Sequence, residues 1–162
     1  MNALNSFSSL KPDTLITDPI GDPVTASVTV PAKASDVWKV VGDFGGFAQF
    51  VQALESTDVI GNGVGSIRHK RFKEGGFEVV EQLNSWDEEA LAMTWTTLYN
   101  NLGVGKLWAS MTVTPVSNIS SVATWTIIAE PTTDNPMSAD EFRAFLQDFA
   151  DVAMSNVPKL FS

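Results

Sequence analysis

The sequence predicts an α+β fold: a seven-stranded antiparallel sheet curled around a long C-terminal helix, with two short helices between strands 1 and 2. Three observations predict it. From about residue 55 to 130, β-branched and aromatic runs alternate with Gly-, Asn-, Asp- and Ser-rich turns, the pattern of an antiparallel meander. One strand-like run and two short helical runs precede that meander. After it, apolar residues recur at helical spacing to the end of the chain.

Taken in order, residues 1–22 are rich in Ser, Asn, Asp, Thr and Pro and read as an extended or flexible lead-in. A single domain is expected over 23–162. VTASVTV (24–30) alternates and stops at Pro31. ASDVWKVVGDF follows, with Ser35 as the expected N-cap and Val37, Val40 and Val41 on one helical face beside Trp38. Gly45-Gly46 breaks this helix, and FAQFVQAL (47–54) predicts the second. Six strands are then read in ESTDVIG, GSIRHKRF, FEVVEQLNSW, ALAMTWTTLY, GKLWASMTVTP and SVATWTIIAEP, each closed by turn-forming residues. Ser138 and Glu141 form a capping box for a helix of roughly 20 residues. Phe142, Phe145, Leu146, Phe149, Val152, Ala153 and Asn156 follow at helical spacing.

Composition excludes several functions. Hydrophobic residues make up 44% of the 162, enough for a core, and the formal net charge is −9. A nucleic-acid or anionic-membrane surface wants the opposite sign. No cysteine is present and only one histidine, so no metal site, disulfide or Ser-His-Asp triad is expected, and no cofactor. No apolar run reaches membrane-spanning length and the N-terminus lacks a signal-peptide pattern. A cytoplasmic protein without membrane insertion, monomer or homodimer, is the expectation. Asp43 in VGDFGG reads as a turn or capping residue, and GNGVG (61–65) lacks the Lys and helix start of a phosphate loop.

The charges concentrate in GVGSIRHKRFKEGGFEVVEQL (63–83), which holds four of the ten Lys and Arg residues and the histidine. If the third and fourth strands turn over Glu74-Gly75, Phe72 faces Phe77, Lys70 faces Val79 and Arg68 faces Glu81. Facing residues share one side of a sheet. A next turn over Asp87–Glu89 pairs Leu83 with Met93, Glu81 with Trp95 and Val79 with Thr97. The face with Phe72, Phe77, Val79, Leu83, Leu91, Met93 and Trp95 is the more apolar one and should meet the helix. Arg68, Lys70 and Glu81 share that face, where unpaired charge costs several kcal/mol. They are a structural ion pair, a ligand-handling group, or both. His69 and an Arg71–Glu78 pair fall on the outer face.

The order of elements, with the words VPAKASDVWKVVGDFGGFAQF, GVGSIR, VVEQLNSWDEEALAMTW, MTVTP and WTIIAEP, resembles the helix-grip fold of the SRPBCC superfamily, the START-like and polyketide cyclase/dehydrase-like proteins. The resemblance covers roughly 24–160. It implies that Glu81 looks into a cavity with Arg68 opposite, and that Phe47, Phe50 and Val51 line it from the second short helix. Alternation adds Leu107, Ala109, Met111 and Val113 from strand six, with Trp108 outside, and Thr126, Ile128 and Glu130 from strand seven. The helix adds Phe145, Phe149, Ala153 and Asn156. Related sequences often carry a Tyr and a hydroxyl residue where Leu107 and Ala109 stand, so this pocket is drier there.

Two functions follow from the resemblance. One is binding of a hydrophobic aromatic, polyketide- or lipid-like molecule, with Phe50, Phe72, Phe77, Val79, Trp95, Thr97 and Phe149 among its walls and Arg68, Lys70 and Glu81 orienting a polar end. The other is a cofactor-independent cyclase, dehydratase or isomerase with Glu81 as acid/base, Arg68 or Lys70 stabilising an enolate, and Tyr99 near the mouth as proton donor. A third, an interaction module, rests only on Trp86 and Trp108 reading as outward.

Overall fold

The computed structural model describes residues 19–161. The lead-in read over 1–22 falls mostly on residues outside them. β1 (Val24–Val30) leads into α1 (Ala34–Val41) and a single 3-10 turn (Phe47–Gln49). β2 (Leu54–Ile60), β3 (Ile67–Phe72), β4 (Glu78–Asp87), β5 (Ala92–Asn100), β6 (Val104–Ser117) and β7 (Ser120–Pro131) follow. α2 (Ala139–Ser155) and a closing 3-10 turn (Pro158–Phe161) complete the chain. All seven strands form one antiparallel sheet in the order β1-β7-β6-β5-β4-β3-β2. β7 folds back beside β1, so the meander curls over its own start and makes a concave face.

α2 starts as the capping box requires. Ser138 Oγ accepts from the Glu141 N–H at 3.1 Å and Glu141 Oε1 accepts from the Ser138 N–H at 2.9 Å, so two N-terminal donors find partners. α1 differs from expectation: it begins at Ala34 with Lys33 as N-cap and no side-chain cap. Ala34, Val37, Trp38 and Val41 form its buried stripe. The second short helix shrinks to the 3-10 turn, because the chain must straighten by Leu54 to enter β2.

How the helices sit decides where space remains. α2 rests on β1 and β7, and α1 rests on β6 and β7, without a comparable backbone approach of α2 to β3, β4 or β5. Gln147 ties α2 to β1 by donating to Thr25 O at 2.9 Å, and Arg143 donates to Asp22 O and Pro23 O, both at 3.1 Å. The far side of the sheet is left to be covered by side chains alone.

Two bulges correct the expected register. The β3–β4 ladder is as derived, with Arg68 opposite Glu81 and Lys70 opposite Val79. The β4–β5 turn is longer than expected, and Asn84 is an extra residue on β4, so Glu81 pairs with Thr97 and Leu83 with Trp95. The slip is of two residues and leaves these side chains on the same face. Beyond Asn84 the face flips. Trp86 therefore comes to the side of α1, where its ring meets Trp38 at 5.6 Å and its Nε1 donates to Gly42 O at 2.9 Å. It is not the free outward tryptophan that the sequence suggested. A second bulge, at Leu98, turns Tyr99 outward opposite Val80. Strict alternation would have put Tyr99 on the inner face with Trp95 and Thr97; a bulge residue reverses that.

Candidate functional site

Between β3–β7 and α2 lies a pocket of about 290 Å³, at the lower end of the range for small-molecule sites. Its walls are Phe72 from β3, Phe77 and Val79 on the β3–β4 hairpin, Trp95 from β5, and Leu107 and Ala109 from β6. Trp125 and Ile127 from β7, and Phe145, Leu146 and Phe149 from α2, close the other side, with Ala53 and Leu102 at the ends. Only Lys70 and Glu81 among the lining residues carry charge.

Glu81 anchors the polar floor. Arg68 Nε and Nη2 both donate to Glu81 Oε1, at 3.0 and 2.5 Å, and Lys70 Nζ lies 3.1 Å from the same oxygen. Arg68 Nη1 donates to Phe44 O at 2.9 Å, and the guanidinium carbon stands 4.0 Å from the Phe44 ring centre, 4.3 Å from Phe47 and 5.0 Å from Trp95. Arg68 is fully buried and lies behind the pocket wall, its charge met by one carboxylate oxygen, one carbonyl and three aromatic faces. Among the described residues nothing donates to Glu81 Oε2, which also is not among the fully enclosed unpartnered atoms. That oxygen is open to the pocket that Glu81 lines.

The charges are mutually tuned. Burial pushes the Glu81 carboxyl up, but Lys70 and Arg68 together outweigh it and hold the group below the usual carboxylate range. Burial lowers Arg68, partly offset by Glu81. Lys70 is lowered from 10.5 to about 8, by burial first, with Arg68 adding to the fall and Glu81 opposing it.

Of the expected site residues, the structure brings Lys70, Phe72, Phe77, Val79, Glu81, Trp95, Leu107, Ala109, Phe145 and Phe149 together around the pocket. Others go elsewhere. Phe50 is fully buried against Phe47, ring centres 4.8 Å apart, outside the lining. The short 3-10 turn tucks both rings under the sheet. Met111 is enclosed opposite Met93 and Trp125. Thr97 is buried with its hydroxyl unpartnered and does not reach the lining. Tyr99 is 54% exposed on the outer face, which removes it as a proton donor to the pocket.

β7 has the opposite phase to the one expected: Ala123, Trp125 and Ile127 point inward, because they pair with inward Val113, Met111 and Ala109. Thr126, Ile128 and Glu130 therefore leave the pocket, and Glu130 accepts from the Ile20 N–H instead. Asn156, expected in the pocket, donates to Phe50 O at 3.0 Å, and Ala153 is core. Trp125 and Ile127 were missed although apolar residues stood at both; a run of apolar residues over 127–129 hides the alternation. Leu102 and Ala53 come from turns, for which periodicity carries no signal.

On the outer face, His69 Nε2 lies 2.8 Å from Glu78 Oε1, and Arg71 Nη1 donates to Asp58 Oδ2 at 2.9 Å. The expected Arg71–Glu78 pair is thus exchanged for two neighbouring pairs. Asp43 holds its turn by accepting from the Gly45 N–H at 3.2 Å. No group of three or more His, Cys, Asp or Glu among the described residues gathers as for a metal ion, and no described helix is long and apolar enough to cross a membrane.

With this geometry in place, comparison with known proteins decides the family. The family described as polyketide cyclase / dehydrase and lipid transport matches residues 23–161. The chain belongs to this family. Several solved structures share the fold at low identity. The Bacillus cereus protein XoxI superposes with a TM-score of 0.78 at 15% identity, over 87% of this chain and 96% of that one. A Thermobifida fusca protein reaches 0.71 at 24% identity, over 84% and 89%. The Zhui aromatase/cyclase from Streptomyces sp. R1128 reaches 0.70 at 15% identity, over 87% and 96%. No curated protein matches the chain. The helix-grip architecture and the SRPBCC relationship are thereby established.

Proposed function

We propose that the protein binds an apolar small molecule, aromatic or polyketide-like, in the pocket beneath α2, with its polar end on the Lys70–Glu81 floor. The observation that carries this is one carboxylate and one ammonium in a wall otherwise made of aliphatic and aromatic side chains. Burying charge in such a wall is unfavourable for folding alone. It is useful when a ligand must be oriented. Lys70 donates to a carbonyl or hydroxyl oxygen, and Glu81 Oε2 accepts from a hydroxyl. The aromatic rings of Phe72, Phe149, Trp95 and Trp125 supply the enclosing surface.

Glu81 Oε2 favours a second reading, cofactor-independent cyclisation or dehydration of a polyketide-type substrate, as in the aromatase/cyclases with the same fold. Held ionised by two cations, Glu81 takes a proton rather than gives one near neutral pH. Lys70 then meets the developing enolate oxygen.

Native mass spectrometry of freshly purified protein tests binding, alongside quenching of tryptophan fluorescence by a panel of aromatic and polyketide ligands. Wild type should retain or capture an apolar molecule that Phe149→Trp, which fills the pocket, excludes. Equal retention by the filled variant would remove the pocket from the reading. Turnover of the panel by wild type but not Glu81→Gln, at unchanged affinity, would select the enzyme.

A further inference from the structure

The floor of the pocket holds two cations on one carboxylate. Arg68 and Lys70 both contact Glu81 Oε1, and no second carboxylate is among the lining residues. One positive charge is therefore in excess where few water molecules reach. Arg68 retains its proton under all ordinary conditions, and it is the better served: two donors on Glu81, one on Phe44 O, and three rings around it. The excess falls on Lys70, whose side chain is 6% exposed and whose one ion-pair partner among the described residues is Glu81. The neutral amine relieves that excess.

We propose that Lys70 is a nucleophile, and that the pocket captures aldehyde- or ketone-bearing apolar molecules covalently as a Schiff base on its Nζ. The inference rests on the pocket being a ligand site. Three features of the structure serve it. Lys70 opens into the cavity and not onto the surface. Its amine is freed near pH 8, through burial first and Arg68 second, against the pull of Glu81. The Glu81 carboxylate, whose Oε1 lies 3.1 Å from Nζ, stands in the same wall to relay protons.

The step balances without any co-reactant. The Nζ lone pair attacks the carbonyl carbon, a C–N bond forms, and the carbonyl π pair moves to oxygen. Glu81 passes one nitrogen proton to that oxygen, giving a carbinolamine. The C–O bond then breaks, the oxygen leaves as water with the second nitrogen proton, and C=N remains. Dry aromatic walls slow the return reaction, which needs that water back.

The test uses the full chain and 2-naphthaldehyde, with borohydride to fix any imine, followed by intact mass and peptide mapping. At pH 7.5 a lysine titrating near 8 has on the order of a hundredfold more free amine than an ordinary surface lysine, since each unit is tenfold. One reduced adduct on Lys70, formed well ahead of the exposed Lys33, Lys39 and Lys73 and abolished by Lys70→Arg, is expected. Adducts spread over the surface lysines and the amino terminus, with Lys70 unmodified in the wild-type digest, would overturn it. A parallel titration with 2-methylnaphthalene, read by tryptophan quenching, separates the two readings. Binding of the hydrocarbon without a Lys70 adduct removes the nucleophile and leaves the ligand site. Absence of both removes both.

Discussion

Arg68 and Lys70 are two residues apart on one strand, on one face, and touch one oxygen of Glu81, yet they stand in different worlds. Over Arg68 the groove is filled: Phe44, Phe47 and Trp95 close on it, and Phe47 wedges edge-on against Trp95 at 5.5 Å and Trp125 at 5.7 Å. Over Lys70 the groove keeps a cavity, because α2 anchors on β1 and β7 and meets this side of the sheet through side chains, Phe149 against Phe72 at 6.1 Å, and not by close backbone packing. The difference teaches that a charge on an apolar face is structural or functional according to what covers it, not according to its own type. The 3-10 turn fills one half of the groove, whereas α2 roofs the other and leaves a cavity beneath it.

The comparison breaks most readily at Glu81, which serves both halves. Glu81→Leu strands two buried cations and should lose about 3–5 kcal/mol in urea unfolding. Adding Arg68→Met and Lys70→Met to it should recover most of that loss, since the uncompensated charges go with the carboxylate. A triple variant as unstable as the single one would mean that shape, not charge, holds this floor.

Next in size is the filled half itself. Phe47→Ala should cost roughly 3–5 kcal/mol, because the ring is fully enclosed among other rings and leaves a void. Phe149→Ala, on a ring that already borders empty space, should cost less than half as much and instead enlarge the ligand range in the quenching assay. Equal costs would show that the two halves are packed alike.

Arg68→Met should cost less than Glu81→Leu, about 1–3 kcal/mol. It leaves Phe44 O without its donor, but Glu81 keeps Lys70 as a balanced partner. The reverse ranking of these two variants would argue that Lys70 is already neutral at the pH of measurement, which a repeat at pH 6 resolves.

The smallest effect belongs to Lys70→Met, close to neutral for stability at pH 7. Its signature is in the pH dependence. The folded Lys70 titrates near 8 and the unfolded one near 10.5, so between those values the unfolded chain binds more protons and stability rises with pH. Below about 8 both states are protonated and the cost of the buried charge is constant. Wild type should therefore gain stability relative to Lys70→Met from pH 8 towards 10.5; parallel curves across that window would refute a buried, depressed amine.

By itself the sequence determined the elements and most of the wall. Turn residues at regular spacing marked every strand, the Ser138–Glu141 box marked α2, and pairing across the short Glu74-Gly75-Gly76 turn put Arg68 opposite Glu81, because register next to a tight turn is set locally. The β4–β5 side was only partly legible. Asn84 and Leu98 bulge without a distinctive residue type, and it is the bulge that turns Trp86 toward α1 and Tyr99 toward solvent. Trp125 could not be phased from a strand with apolar residues on both faces; its partner Met111 on β6 phases it. Whether the groove is filled over Arg68 and open over Lys70 was decided by tertiary structure alone. That depends on where the 3-10 turn and α2 come to rest on the curled sheet, a packing outcome among residues far apart in the chain, which no local pattern encodes.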